Sequence, residues 1–397
     1  MTKPFASPRL LMSLACCCLL SGCMSKITLD RAVMAYNEAT SDVLSKQLLV
    51  NIARARHHQP IHFTGVSNIA ATYNFQFNAG ATPALTGNSG SLMTPIFGAT
   101  VAENPTISIV PIEGEEFTKR LLTPFAETKL SMLLRQGADI DLVLRLLAGE
   151  YRMHDGGNQE IAYNNRPSDR RGYTLFRRVV SHLSSIQDRN ALYVEPLMFE
   201  RRWMLPAETV NADGFQKLQQ EFSVQYDSAA KTYRLSKPFV GRVFITNYDP
   251  DTLSNEERIR MNDEAEKSPA NEIPVDIRAG HEGGEYPFKG QFRLRSFHNV
   301  LNFLGRDMAE EPEYDVPPDP RTPPVTENPV HTLEIVESGS RPGGEGLAAD
   351  YLGHYYAVRP ESGYQWNQEG FRMLSQLFQM TVTELPQVGV PSITISK

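Results

Sequence analysis

Between Arg56 and Glu103 the chain carries no Asp, Glu, Lys or Arg, although 21% of the whole sequence is charged. Within that run, residues 68–78 alternate. Ile69, Ala71, Tyr73, Phe75 and Phe77 fall on one side, and Asn68, Ala70, Thr72, Asn74, Gln76 and Asn78 on the other. A period of two belongs to a β-strand. One apolar face and one polar but uncharged face suit two settings. One is a sheet with one side on a core. The other is a strand that crosses a membrane, which takes about 9 to 11 residues. A segment rich in Gly, Ala, Thr, Ser and Pro follows over residues 79–98, and residues 106–112 read as a second strand. Pro95 argues against a clean strand through that segment. The expectation is a β-hairpin near residues 68–112.

The N-terminus constrains location. Lys3 and Arg9 precede an apolar run over residues 10–20, and the small Ser21 and Gly22 lead into Cys23. The run is shorter than the roughly 20 residues that a membrane-spanning helix needs, and its order is that of a secretion signal. Leu20-Ser21-Gly22-Cys23 resembles the bacterial lipobox. The resemblance implies cleavage before Cys23, a thioether-linked diacylglycerol on its sulfur and fatty acid such as palmitate at the new terminus. Met24 and Ser25 follow, with no Asp, and the resemblance then implies sorting to the outer membrane, with the body facing the periplasm.

Cysteine use agrees with this. Of Cys16, Cys17, Cys18 and Cys23, the first three leave with the signal. No disulfide, thiolate metal site or cysteine nucleophile is expected in what remains. Loss of Lys3 and Arg9 leaves 37 basic against 46 acidic residues, a net charge of −9. That balance argues against nucleic-acid binding, which depends on a basic footprint.

The remaining chain mixes periods. A helix is expected over residues 29–55, with Val33, Tyr36, Thr40, Val43, Gln47 and Leu48 forming its stripe. Short helices carry Phe117 and Leu121, then Leu130, Leu133 and Leu134, then Ile140, Val143, Leu144 and Leu147; Gly137 is the expected stop and Asp139 the expected cap. A polar loop is expected over residues 155–169, a helix through Leu175, Val179, Leu183 and Ile186, and a strand hairpin around residues 228–230. Residues 309–329 are rich in proline and acid and read as an extended linker without a core. A final strand is expected over residues 392–396. The fold class is α+β: a lipid-anchored periplasmic body with an N-terminal helix, antiparallel strands and a helical hairpin. Its expected parts are a signal (1–22), an anchor and helix (23–60), the uncharged strand region with the helical hairpin (61–150), an α+β region (151–308), the linker (309–330) and a C-terminal α+β segment (331–397).

Candidate sites are few. Arg166, Arg170, Arg171, Arg177 and Arg178 form a basic cluster. Arg170, Arg171, Arg177 and Arg178 in particular are candidates for contact with an anion or an acidic partner through guanidinium forks. His57, His58 and His62 lack a further ligand at metal spacing. Asp249 and Asp251 start like a calcium loop, but Leu253 stands where a ligand belongs. Ser228 and Lys231 have Ser-x-x-Lys spacing in an expected turn, whereas that chemistry needs a helix. No metal, cofactor or catalytic residue is expected.

Two further runs, from Gln47 to Arg56 and from Gly114 to Pro124, resemble an uncharacterised group of Gram-negative lipoproteins over residues 20–150. That resemblance carries no activity. The expectation is therefore a non-enzymatic outer-membrane lipoprotein with a structural or protein-interaction role in an envelope assembly. It would be held to the membrane by the lipid on Cys23 and meet envelope partners or copies of itself. The alternatives are an oligomeric outer-membrane channel or export component that uses the hairpin, and a cryptic periplasmic hydrolase. Cells fed a fatty-acid analogue should label the wild type in the outer-membrane fraction and leave Cys23→Ala unlabelled.

Overall fold

The computed structural model describes residues 8–83, 93–155, 159–343 and 346–382. The expected strand at 392–396 lies outside the described residues. The fold is α+β, as expected. The chain divides into two compact units, residues 1–48, 62–114 and 382–397 in the first and residues 49–61 and 115–381 in the second.

The first unit contains most of helix α1 (Pro8–Arg56), which begins well before residue 29. Its expected apolar stripe is not a core face along its length, because Val33 and Val43 are exposed and burial becomes complete only from Leu48. An Asp42–Lys46 pair at 2.6 Å joins successive turns. The Gln47 amide mimics a strand neighbour, accepting from the Thr64 N–H at 2.7 Å and donating to its carbonyl at 3.0 Å.

That amide anchors the start of β1 (Phe63–Pro83), which pairs antiparallel with β2 (Met93–Ile112) from Phe63 opposite Ile112 to Pro83 opposite Met93. One bulge lies between Val66 and Asn68. The register carries the two-faced pattern across the ladder. Ile69 pairs with Ile107, Phe75 with Val101, Phe77 with Ala99 and Ala79 with Phe97. In the other column Thr72 pairs with Asn104 and Gln76 with Thr100. Pro95 is part of β2, opposite Ala81, which corrects the expectation that it interrupts the strand. A strand at the edge of a sheet tolerates a missing N–H. At about 3.3 Å per residue, each strand is roughly 65 Å long.

The second unit takes the end of α1 and continues with three short helices, α2 (Glu115–Leu122), α3 (Glu127–Arg135) and α4 (Ile140–Leu147). Gly137 takes a positive φ of +85°, the left-handed geometry that ends α3. Asp139 precedes α4 but does not cap it with its side chain. The Ile140 N–H donates instead to the Gln187 amide oxygen at 2.7 Å, and the Asp139 carboxylate accepts from the Tyr364 hydroxyl.

Next come β3 (Ala148–Asp155), β4 (Gln159–Asn164), α5 (Arg170–Asp188), β5 (Tyr193–Pro206), α6 (Ala212–Glu221), β6 (Ser223–Asp227), β7 (Thr232–Thr246), α7 (Asn255–Ala265), β8 (Glu272–Ile277), β9 (Phe288–Leu294) and α8 (Phe297–Asp307). The polar stretch expected as a loop therefore contains β4. The strands form one sheet in the order β4-β3-β9-β8-β7-β5, with β6 also on β7, and only the β7–β8 pair is parallel. Helices α5, α6, α7 and α8 start on Asp169, Asn211, Ser254 and Ser296, each accepting a backbone N–H from its first turn. Tyr151, Phe176 and Phe292 are fully buried, and the Phe292 ring meets both others, centroids 5.0 and 5.9 Å away.

After α8 the chain runs without helix or strand to β10 (Ile335–Ser338). With β11 (Ala348–Tyr351) and β12 (His354–Val358) this forms a small sheet ordered β10-β12-β11, followed by α9 (Trp366–Gln379). The proline-rich stretch lies within the second unit, and its Glu313 and Val316 are buried.

Candidate functional site

The charged residues of α4 and α5 decide how that stretch is held. Arg145 sits in an otherwise apolar turn of α4 and is fully buried. It donates to the carbonyls of Pro329 at 2.9 Å and Val330 at 2.7 Å and to the Thr332 hydroxyl at 3.1 Å. Arg177 on α5 donates to the Tyr173 hydroxyl at 3.0 Å, the Asn328 amide oxygen at 2.9 Å and the same two carbonyls at 3.1 Å each. Glu313 approaches Arg145 at 3.4 Å and Arg177 at 3.8 Å. It also accepts from the Tyr173 hydroxyl at 2.6 Å and from the N–H and hydroxyl of Thr332. Burial alone would push the Glu313 carboxyl up, but the two guanidinium charges outweigh it and hold the group below its usual range. Asp141, one turn before Arg145 and 3.7 Å from it, is pushed up by burial.

This network corrects the reading of the basic cluster as a joint outer surface for anions. Arg177 is turned inward and saturated by protein acceptors. Arg178 is half-buried and donates to the Pro317 carbonyl at 3.4 Å, and Arg170 lies over the Tyr314 ring at 5.4 Å. Arg166 takes Glu311 in a fork at 2.9 and 3.0 Å. Arg171 is exposed. The arginines strap residues 311–330 onto the helices. The expected linker is extended and fixed along its length.

Asp307, Glu313 and His331 bring ligand-type atoms within 4.8 Å of one another, the one such group among the described residues. Their donor atoms are already engaged. His331 Nδ1 faces the Asp307 carboxylate at 3.0 Å, and Asp307 also accepts the Glu313 N–H at 2.6 Å. Two arginines beside Glu313 oppose a further cation, so the arrangement fits an internal ion network better than a metal centre. Sequence reasoning missed Arg145, Glu313 and Asp307. A signal existed: Asp141 and Arg145 stand four apart in an otherwise apolar helix, the spacing of a buried pair.

The other candidates separate. His57 Nε2 meets the Tyr356 hydroxyl at 3.2 Å, whereas His58 meets Glu310 at 2.7 Å. Asp249 accepts the Asp251 N–H at 2.9 Å in a local turn. Lys231 occupies the β6–β7 turn with φ +53°. Cys23 lies within the span of α1.

The hairpin is the other candidate. Its sheet holds β1 and β2 alone, so among the described residues both outer edges lack a strand neighbour. Ile107 and Ile109 near the end of β2 are exposed. Comparison with protein-family models, with curated proteins and with solved structures finds no match.

Glu313→Gln keeps the shape but removes the charge facing two buried guanidinium groups. It should cost about 3–5 kcal/mol in urea unfolding. A second outcome concerns pH. The hydrogen bond to Asp307 raises the His331 imidazole, so its stabilisation is full below its ordinary value of 6.5 and is lost as pH rises through the folded-state value. Burial lowers His182 and His298, so their contribution is lost as pH falls below 6.5. Unfolding curves of His331→Gln should therefore show a flatter decline of stability on the alkaline side of neutrality, with the loss due to His182 and His298 retained on the acid side.

Proposed function

We propose that this protein is a lipid-anchored envelope component that works by assembly, with the β1–β2 hairpins of several copies joining into a shared outer-membrane channel or export ring. The carrying observation is a hairpin of two strands, 21 and 20 residues long, whose outer edges have no strand neighbour among the described residues and whose one charged residue is Glu103, opposite Tyr73. An isolated two-stranded ribbon is marginal in water. An open edge presents a row of unpaired N–H and C=O groups. Within a bilayer only closed barrels satisfy such edges. Each strand exceeds the roughly 30 Å hydrocarbon thickness, which leaves length to continue the barrel outside it. The alternation then gives lipid one face and water the other. The lipid on Cys23 would hold each copy at the membrane surface before its hairpin inserts.

The second unit supports a protein-contact role in the same assembly. Met198 and Val240 face each other across the β5–β7 ladder and are both exposed, as are Trp203 and Met204 on β5. Apolar residues gathered on one ribbon suit a protein neighbour. No catalytic role is proposed.

The test is particle mass after mild detergent extraction. Wild type should run as a ring of many copies. A variant in which residues 73–103 are replaced by Asn-Gly keeps Thr72 opposite Asn104 and should run as a monomer with an unchanged far-UV spectrum of the body. A monomeric wild type, or equal masses for the two, would overturn the channel reading.

A further inference from the structure

A cavity of about 400 Å³ opens beside the start of α8, wholly inside the second unit. One face of α8 supplies much of its wall. Asn299, Asn302, Phe303 and Arg306 follow at intervals of three and four residues, the spacing that places side chains on a common helical face. Asn164 at the end of β4 and Asn165 and Arg166 in the turn after it close the cavity, and Arg295 enters just past the end of β9. Gly149 makes room for the Arg295 stem: a Cβ there would lie 3.3 Å from Arg295 Cγ.

The charges in this cavity do not balance. Glu311 is the acid in the wall, and it is taken by Arg166. Arg295 donates only to backbone carbonyls, those of Arg145 at 3.3 Å, Leu146 at 3.4 Å and Asn165 at 2.6 Å, with its guanidinium 4.1 Å over the Phe303 ring. Burial pulls Arg295 down to about 9 against the opposing effect of Glu313 and Tyr173, with a smaller push in the same direction from Arg306, and this leaves it cationic at neutral pH. Arg306 is exposed, and among the described residues no carboxylate lies within ion-pair distance of it or of Arg295. The cavity thus holds two guanidinium groups without a direct ion pair among the described residues, Glu313 acting on Arg295 and Glu311 on Arg306 only from a distance. Elsewhere in this unit, buried or half-buried arginines such as Arg145, Arg152, Arg242 and Arg278 have carboxylate partners.

The walls also carry amides rather than apolar groups. Asn165 is 2% exposed and spends its Nδ2 on the carbonyls of Arg145 and Ala148, while its Oδ1 has no donor among the described residues. A buried acceptor without a donor is uncommon and marks a place where a hydroxyl or a water belongs. Asn299 and Asn302 add donor and acceptor pairs at the mouth.

We propose that this cavity binds a sugar phosphate, with the phosphate between Arg295 and Arg306 and the sugar hydroxyls on the asparagine amides. A dianion matches two unpaired guanidinium groups, which favour phosphate through forked contacts. The volume falls within the range of small-ligand sites, and Phe303, buried beneath the Arg295 guanidinium, holds that group in the wall. The same chemistry exists as a free sugar phosphate and as the phosphorylated sugars of an envelope glycolipid.

The test is titration calorimetry on the full chain in detergent, with glucose 6-phosphate, glucose and inorganic phosphate as probes. Glucose 6-phosphate should bind at least roughly 10-fold more tightly than either of the others, and Arg306→Ala should weaken it by a similar factor. Arg306 is exposed, so that variant keeps the fold; Asn302→Ala should weaken glucose 6-phosphate more than inorganic phosphate. Competition by a phosphorylated lipopolysaccharide core oligosaccharide, but not by its dephosphorylated form, would support the site and name the envelope as its source. Binding of glucose 6-phosphate without such competition would support the site and name a free sugar phosphate. Equal affinity for inorganic phosphate and glucose 6-phosphate would overturn the saccharide assignment. No heat from any probe at about 10 mM, or no effect of Arg306→Ala, would overturn the site.

Discussion

Two arginines and one glutamate, all removed from water, fix the second unit. Arg145 and Arg177 come from adjacent helices, and both reach the carbonyls of Pro329 and Val330. Removing such charges from water is costly unless every donor finds an acceptor. Here saturation is reached only when residues 313–332 lie across α4 and α5. The helices cannot pack on each other and leave that segment elsewhere, because two guanidinium groups would then lack most of their partners. The same segment sets its neighbours. Asp307 at the end of α8 accepts the Glu313 N–H, and Trp366 at the start of α9 donates to the carbonyls of His331 and Thr332 at 3.1 Å. One buried network thus joins four helices that are far apart in sequence.

Much of the chain could be read in advance, and the failures have physical causes. The hairpin was legible because its period is uninterrupted by charge, and the structural register preserves it, pairing Phe75 with Val101 and Gln76 with Thr100. Strands β8 and β9 were missed, although both alternate in sequence. They lie in the middle of the sheet, yet Glu272, Asp276 and Gln291 are buried there. Glu272 is answered by Arg293 at 2.9 Å and Arg152 at 3.4 Å on strands β9 and β3. The period of two survives, Ile273, Val275 and Ile277 alternating with Glu272, Pro274 and Asp276, and the polar face is buried in ion pairs instead of facing water. Strand β4 was hidden for another reason: it is an edge strand with Glu160 and Ile161 both exposed.

Prolines misled in two places. Pro95 argued against a strand, yet among the described residues β2 has no neighbour beyond β1 and can spare an N–H. The prolines of residues 309–330 argued for a linker, but proline also lowers the entropy of the unfolded chain and leaves a carbonyl without a competing N–H of its own. Pro317 and Pro329 are used as acceptors by Arg178, Arg145 and Arg177. Of the candidate site residues, Arg177 was grouped with Arg170, Arg171 and Arg178 as an outer contact, whereas the structure buries it. Its place in a charge cluster was visible, whereas its partner Glu313 lies 136 positions further along the chain.

The two units meet the demand for hydrogen bonds differently, and that difference bears on function. In the second unit, buried charge is answered within the chain by long-range pairs such as Arg177 with Glu313 and Arg242 with Glu127. In the first, the ladder satisfies only the inner side of each strand, and the outer edges of β1 and β2 have no strand neighbour among the described residues. Charges, the common means of blunting such edges, are missing from residues 57–102. The sequence thus arranges many ion pairs in one unit and keeps the hairpin nearly free of charge, with Glu103 its one charged residue. Association through an outer edge of the hairpin would add backbone pairs without disturbing the arginine network, so assembly and the stability of the body can change independently.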